Sequence, residues 1–400
     1  MKMSKFKIII IYILIMLFVA SLGIPVQANK DDNIIVGMST ALTGPSEFLG
    51  TNMLVGVDTY FKYINAEGGV HGRKIKLIAY DDGYEPSKSA LNMLKLIKED
   101  NVLATIGNVG TPTAIPSIKI SNIYKTPFFA PFTGADILRK NPPDKWIFNY
   151  RASYAEETAE MVSLLINLGI KPKEIAFFIQ DDSFGVSGLK GGLYALKKYG
   201  LRLKDITIGR YKRNTMDIEA GLENILKASS KPKAVIMVGT YDPCAKFIIQ
   251  AKDRGLDALF LNVSFVGSKK LGEKLAAKNP KYLENVIVTQ VVPPYNSKLP
   301  VVKEYREHLK QYYPGVEPSF VSLEGYIAAK LFVHICFNAG KNLSKESFAY
   351  TAEKLKNYDP GFNYNLNFSK TNHQASDKVW VTLFDSKGKE ISYDKEIFNK

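Results

Sequence analysis

The chain has 400 residues, 46% of them hydrophobic and 23% charged, with two cysteines and a formal net charge of +14. This composition excludes a disordered, collagen-like or disulfide-stapled chain, and the length suits roughly two globular domains. The lysines are scattered among acids with no long basic run, so the positive balance reads as solvated faces and not as a nucleic-acid surface.

Lys2, Lys5 and Lys7 precede an apolar run from Ile8 to Ala20, and Val26-Gln27-Ala28 forms a small-x-small cleavage site. Residues 1–28 therefore read as a secretory signal peptide, with a mature chain starting at Asn29. The run is short for a spanning helix, and no later segment is expected to cross a bilayer. Asn29 is not a cysteine, so no lipid anchor is expected, and the periplasm is the expected location.

A pattern of apolar runs alternating with amphipathic segments then begins. "NIIVGMSTA" (33–41), "KIKLIAYDD" (74–82) and "VLATIG" (102–107) read as strands; "GTNMLVGVDTYFKYINA" (50–66), "SKSALNMLKLIKED" (87–100) and 114–124 read as helices. The alternation resumes after residue 150. Strands are expected at "EIAFFIQ" (174–180), "AVIMVGT" (234–240) and "ALFLNVS" (258–264), and helices at 156–169, 187–200 and 242–255. Apolar runs of this length between helices indicate βαβ units and parallel sheets covered on both faces. Two such series predict an α/β fold with two similar Rossmann-like lobes. The last third reads as helices near 299–312, 318–339 and 345–356, then strand-like pieces near 364–368 and 378–384.

In open parallel sheets, ligands meet the carboxyl ends of the strands, so the loops there carry the information. "IGNVGTPTAIPS" (106–117) and "APFTGADILR" (130–139) place Gly110, Thr111 and Thr113, and Thr133, Gly134 and Ala135, before helical segments. Small residues allow close backbone approach, and helix N-termini offer free N–H groups. These loops suit a small anion such as a carboxylate, held by neutral donors; plain helix capping is the alternative. Phosphate is disfavoured, because no Gly-x-x-x-x-Gly-Lys-Ser/Thr loop is present. The second half carries aromatics at its strand ends, Phe184, Tyr241 and Phe265, as an apolar wall or as core.

His71, His308, His334 and His373 show no metal-binding spacing, and "GVSGL" (185–189) lacks the last glycine of a nucleophile elbow. Asp81-Asp82 and Asp181-Asp182 each follow a strand and read as strand-end caps or surface pairs in preference to acid/base groups. Cys244 and Cys336 read as buried free thiols, with a disulfide as the alternative. Neither a metal, a cofactor nor an enzymatic activity is expected.

Several motifs occur together and in order: "VGMSTALTGPSEFLG", "INAEGGVHGRKIKLIAYDDGYEP", "IGNVGTPT", "PFTGAD", "DDSFGVSGL", "SFVGS", "EGYIAAK" and "GFNYNLNFSKTNHQAS". With them the chain resembles the type I periplasmic solute-binding proteins of ABC transporters, in the branched-chain amino acid-binding (leucine-binding protein) group. The resemblance implies two lobes joined by three crossover strands near 149–151, 286–290 and 364–368. One lobe would comprise 29–149 plus 290–364, and the other 150–287 plus 365–400. It implies a monomer that closes on an amino acid or related carboxylate in its cleft and delivers it to a membrane permease with ATPase subunits. A sensor feeding a signalling partner is the alternative.

The resemblance also assigns residues. The ligand carboxylate falls to Gly110, Thr111, Thr113, Thr133, Gly134 and Ala135, and the aromatic wall to Phe184 and Tyr241. The glutamate that holds the ammonium in branched-chain binders aligns with Ser264 or Phe265, and neither is an anion. Either the ligand lacks an α-amino group, or Glu324, Asp242 or Glu47 replaces that acid. Tyr84 stands where the family has a cysteine.

Overall fold

The computed structural model describes residues 33–393, so the signal-peptide reading of 1–28 lies outside the described residues. Five strands form a first sheet: β1 (Ile34–Thr40), β2 (Ile75–Asp81), β3 (Ala104–Ile106), β4 (Phe128–Phe129) and β5 (Ile147–Phe148). All are parallel, in the order β2-β1-β3-β4-β5. The second sheet contains β6 (Ile175–Gln180), β7 (Ile208–Tyr211), β8 (Ala234–Val238), β9 (Leu259–Asn262) and β10 (Val286–Gln290). These are parallel in the order β7-β6-β8-β9-β10, and β11 (Trp380–Phe384) and β12 (Glu390–Ser392) extend the edge antiparallel. The two sheets share one winding. In each, the strand order reverses beside the first strand, between β1 and β3 and between β6 and β8, and such a switch point leaves a crevice at the carboxyl ends.

β6 and β8 are buried at every position, as strands covered by helices on both faces require. The two-residue strands β4 and β5 are too short to show a period, and β7 escapes the sequence pattern for the same reason. The strand-like piece expected at 364–368 is reduced to one bridge, Tyr358 to Leu366. Its asparagine-rich sequence supports left-handed backbone at Asn363 (φ 66°), which breaks a ladder.

The helices Pro300–Tyr312, Phe320–Ala339 and Lys345–Ala352 turn back to the first sheet, where Phe320–Ala339 packs along Glu47–Ala66. Two glycines set that approach. A Cβ on Gly56 would lie 2.0 Å from the Ser322 carbonyl oxygen, and one on Gly325 would lie 2.6 Å from that of Met53. By length and hydropathy Phe320–Ala339 passes as a membrane span, contrary to the expectation above, but 83% of that stretch is buried within the protein and it serves as a core helix.

The chain passes between the sheets three times, and the passages lie side by side. Asn149 N donates to His373 O (2.7 Å), Ala375 N to Asn149 O (2.9 Å) and Ser376 N to Tyr150 O (2.9 Å). The Tyr150 hydroxyl lies 3.5 Å from the Val291 carbonyl on the passage that follows β10.

Candidate ligand-binding site

The loops after β3 and β4 are held together by a bridge from Val109 to Phe132, which carries the strand pairing beyond the sheet. That brings the Thr111 and Thr133 hydroxyls to 2.6 Å from one another. No side chain caps the Thr111–Ile123 helix that starts here. Thr113 does not face outward, since its hydroxyl donates to the carbonyls of Val109 and Gly110. Gly110 has φ 105°, and a Cβ there would lie 2.1 Å from the Tyr84 ring; glycine admits both the backbone and the ring. Gly134 accepts from Tyr154 N (2.8 Å), which ties this loop to the Tyr154–Asn167 helix. The Ala135 carbonyl accepts from Arg139 Nη1 at 2.9 Å.

The aromatic residues of the second half converge on the same place. Phe265 follows β9 and its ring centroid lies 4.7 Å from Phe184, 5.2 Å from Phe132 and 6.0 Å from Tyr84. Phe132 and Tyr84 belong to loops of the first sheet, so the rings meet across the cleft and the cleft is closed. Tyr241 starts the helix after β8 and meets Phe48 edge-on at 6.0 Å, beside a cavity of about 330 Å3; burial pushes its hydroxyl up to about 12. Polar contacts close the rim. Arg213 pairs with Glu85 (2.8 Å), Asn214 donates to Glu85 (2.7 Å) and Ser187 donates to Asp136 (3.1 Å). A second cavity of about 340 Å3 opens on this seam, lined among others by Thr111, Asp136, Ser187 and Lys190.

Sequence reasoning missed the charged centre of this region, Arg151, which lies on the first passage and is fully buried. Its Nη2 lies 3.2 Å from Glu157 Oε1 and also donates to Ser264 Oγ, while its Cζ sits 4.9 Å over the Phe132 ring. Its Nε and Nη1 make no hydrogen bond to any described residue, and Nη1 is 3.7 Å from Glu324 Oε1. Glu157 is well supplied, accepting from Ser264 N (2.7 Å), Ser264 Oγ (3.0 Å) and Thr289 Oγ1 (2.6 Å). Ser264 is thus tied to this ion pair. Glu324 differs: it is 3% exposed, and no described residue donates a hydrogen bond to it. Burial pushes its carboxyl up to about 7, although Arg151 pulls the other way. The two other candidate acids are spent or exposed, since Asp242 pairs with Lys274 at 2.6 Å and Glu47 lies at the surface. The one signal in the sequence was a lone arginine in "NYRASY" with an acid six positions on.

Arg139 adds a second, half-buried cation. It donates to Gln374 Oε1 (2.6 Å) and to the Arg151 carbonyl (2.9 Å), and burial lowers it to about 10. Gln374 in turn donates to Glu156 at 2.9 Å.

Three of the paired aspartates act as caps, while Asp181 pairs with Arg210 at the surface (2.7 Å). Asp81 accepts from the amides of Leu42 (2.8 Å) and Gly83 (2.9 Å), Asp82 from Tyr84 N (2.9 Å) and Asp182 from Phe184 N (2.9 Å). Cys244 and Cys336 are buried free thiols. Among the described residues no group of three His, Cys, Asp or Glu side chains is placed to hold a metal ion.

A family profile described as periplasmic binding protein matches residues 33–389. A crystal structure of a possible leucine/isoleucine/valine-binding protein from Rhodopirellula baltica SH 1 is similar, with a TM-score of 0.88 and 44% identity over 92% of this chain and 99% of that one. Leu/Ile/Val-binding protein homolog 7 of Brucella abortus strain 2308 is 26% identical, covering 76% of this chain and 77% of that protein. An amino acid binding protein of Pseudomonas aeruginosa is 24% identical, covering 84% and 85%.

Proposed function

The chain belongs to the periplasmic binding protein family, and from that premise we propose that it is the extracytoplasmic solute-binding protein of an ABC importer. It takes a small amino acid or related carboxylate into the cleft between its sheets and hands it to a membrane permease with ATPase subunits. On this reading residues 1–28 direct export to the periplasm and the protein works as a monomer. One lobe comprises 29–149 with 290–364, and the other 150–287 with 365–400. The observation that carries the proposal is the convergence of both switch points on one seam. Thr111 and Thr133 meet there at an uncapped helix start, a cavity opens beside Thr111, and rings from both sheets pack together across the same seam. The relatives named as amino acid and Leu/Ile/Val binders favour the amino acid among carboxylates.

The test is a ligand screen by thermal shift on protein that has been unfolded and refolded to strip any carried ligand. A true ligand at a hundred times its dissociation constant stabilises the fold by about 2.7 kcal/mol. Thr111→Ala combined with Thr133→Ala is expected to weaken the hit by about 1–3 kcal/mol, through lost hydrogen bonds to a carboxylate. Unchanged affinity in isothermal titration would remove these loops from the site.

A further inference from the structure

We propose that Glu85, beyond the first sheet, and Arg213-Asn214, beyond the second, form a latch that holds the cleft shut, with Tyr84 tying the latch to the Gly110 loop. The inference rests on the cleft reading above and adds the residues that oppose its opening.

The latch stands where an opening motion is largest. The three passages run beside β5 and β10, whereas Glu85 follows β2 and Arg213 follows β7, the strands at the opposite edges. Four strand steps separate β2 from β5, and four separate β7 from β10, which is about 19 Å at the usual interstrand spacing. A rotation of about 10° at the passages would part groups that far out by about 3 Å, enough to break a hydrogen bond.

Both oxygens of Glu85 are engaged across the cleft. Oε2 accepts from Arg213 Nη2 at 2.8 Å and Oε1 from Asn214 Nδ2 at 2.7 Å; the same Nδ2 lies 3.2 Å from the Gly83 carbonyl. Asn214 reaches this place through left-handed backbone (φ 58°), which asparagine tolerates. Arg213 Nη1 turns inward to Asp182 Oδ2 at 3.4 Å, and that oxygen also accepts from Gln180 Nε2 at 2.7 Å. Gln180 Nε2 lies 3.3 Å from the Tyr84 hydroxyl, a second crossing between the sheets, and the Tyr211 hydroxyl fixes Gln180 by donating to Oε1 at 3.1 Å. Tyr84 is fully buried, directly precedes Glu85 and lays its ring against Gly110, so a shift of the Gly110 loop is passed to the latch.

The hold is modest. The Glu85 and Arg213 side chains are 38% and 24% exposed, and an ion pair so placed contributes little by itself. Arg213 Nε and Asn214 Oδ1 are buried with no hydrogen-bond partner among the described residues, and opening returns them to water. The latch therefore shifts the ratio of closed to open protein by about 3- to 10-fold, which lets a protein close on a ligand and still release it.

The experiment measures the distance between spin labels on Leu91→Cys and Met216→Cys by double electron-electron resonance. Leu91 lies on the Pro86–Lys98 helix and Met216 beyond β7, and both are exposed, whereas Cys244 and Cys336 are buried and escape labelling. The purified, ligand-stripped protein is compared with the same protein in L-leucine, L-isoleucine or L-valine. The expected result is a short and a long distance, with the short one favoured by a bound amino acid. Glu85→Ala and Arg213→Ala each lower the ratio of short to long by about 3- to 10-fold, and the double variant loses no more than Glu85→Ala alone. Tyr84→Phe, which removes only the hydroxyl, moves the ratio the same way. If the alanine variant does not fold, Glu85→Gln removes the charge and keeps an acceptor for Asn214. Two distances that respond to an amino acid but keep the parent's ratio in every variant would overturn the latch and leave the cleft reading standing. One distance shared by parent and variants, and altered by no amino acid, would remove the cleft reading and the latch with it.

Discussion

Replacing Arg151 with methionine is expected to destabilise the fold by about 3–5 kcal/mol, the cost of leaving a buried carboxylate without its partner. Methionine fills similar space, so the loss measures charge more than volume. Two acids are stranded at once: Glu157, buried and 3.2 Å from the guanidinium, and Glu324 at 3.7 Å. The deficit should depend on pH. Arg151 draws Glu324 down against burial, and the carboxyl still stands at about 7. Without the arginine it rises further, so Glu324 takes a proton and stops costing a charge. The gap between the two proteins is therefore widest near pH 8 and narrows towards pH 6. Urea denaturation at both values reads it directly. Equal stability of variant and parent would mean that Arg151 makes no net contribution to the fold.

Phe265→Ala should cost about 3–5 kcal/mol in the closed, ligand-bound protein, the range for emptying a buried phenylalanine site. The ring touches Phe184 on its own side of the cleft and Phe132 and Tyr84 on the other. If the proposed cleft opens to admit its ligand, only the first contact is kept. The variant should therefore lose less stability without ligand than with it, and the difference should appear as weaker binding. Denaturation with and without saturating ligand separates the two. The same loss in both states would place Phe265 in the core of the second sheet alone and take it out of the cleft.

Much of this architecture was legible beforehand, for physical reasons. β6 and β8 are covered on both faces, so burial forced unbroken apolar runs that stand out between amphipathic helices. Thr111 and Thr133 could be singled out as hydroxyl residues at helix starts beyond strand ends, where capping or ligand contact is the usual role, but no side chain caps the Thr111–Ile123 helix and it is the Val109–Phe132 bridge that brings the two hydroxyls together. Thr113 was misread for the same reason: a hydroxyl at a helix start serves its own turn as readily as a ligand, and here it bonds Val109 and Gly110. Arg151 was not legible. Its meaning depends on Glu324, a residue far along the chain, and on a passage between sheets that no periodicity marks. The role of Phe265 was likewise a matter of contact across the cleft, which residue type alone leaves open between wall and core.

The close seam between Glu47–Ala66 and Phe320–Ala339 has a consequence for how the chain acquires its structure. Ser319 donates to Asn52 across a separation of 267 positions, and Gly56 and Gly325 meet in the same seam. The stripe around Met53 and Val57 stays bare until residues beyond 320 have been synthesised. Contacts this distant in sequence slow folding, because a long loop must close before they form. A nascent chain shorter than about 320 residues therefore keeps its first half unfinished, which is the state a polypeptide needs if it is to be threaded through a narrow channel before it folds.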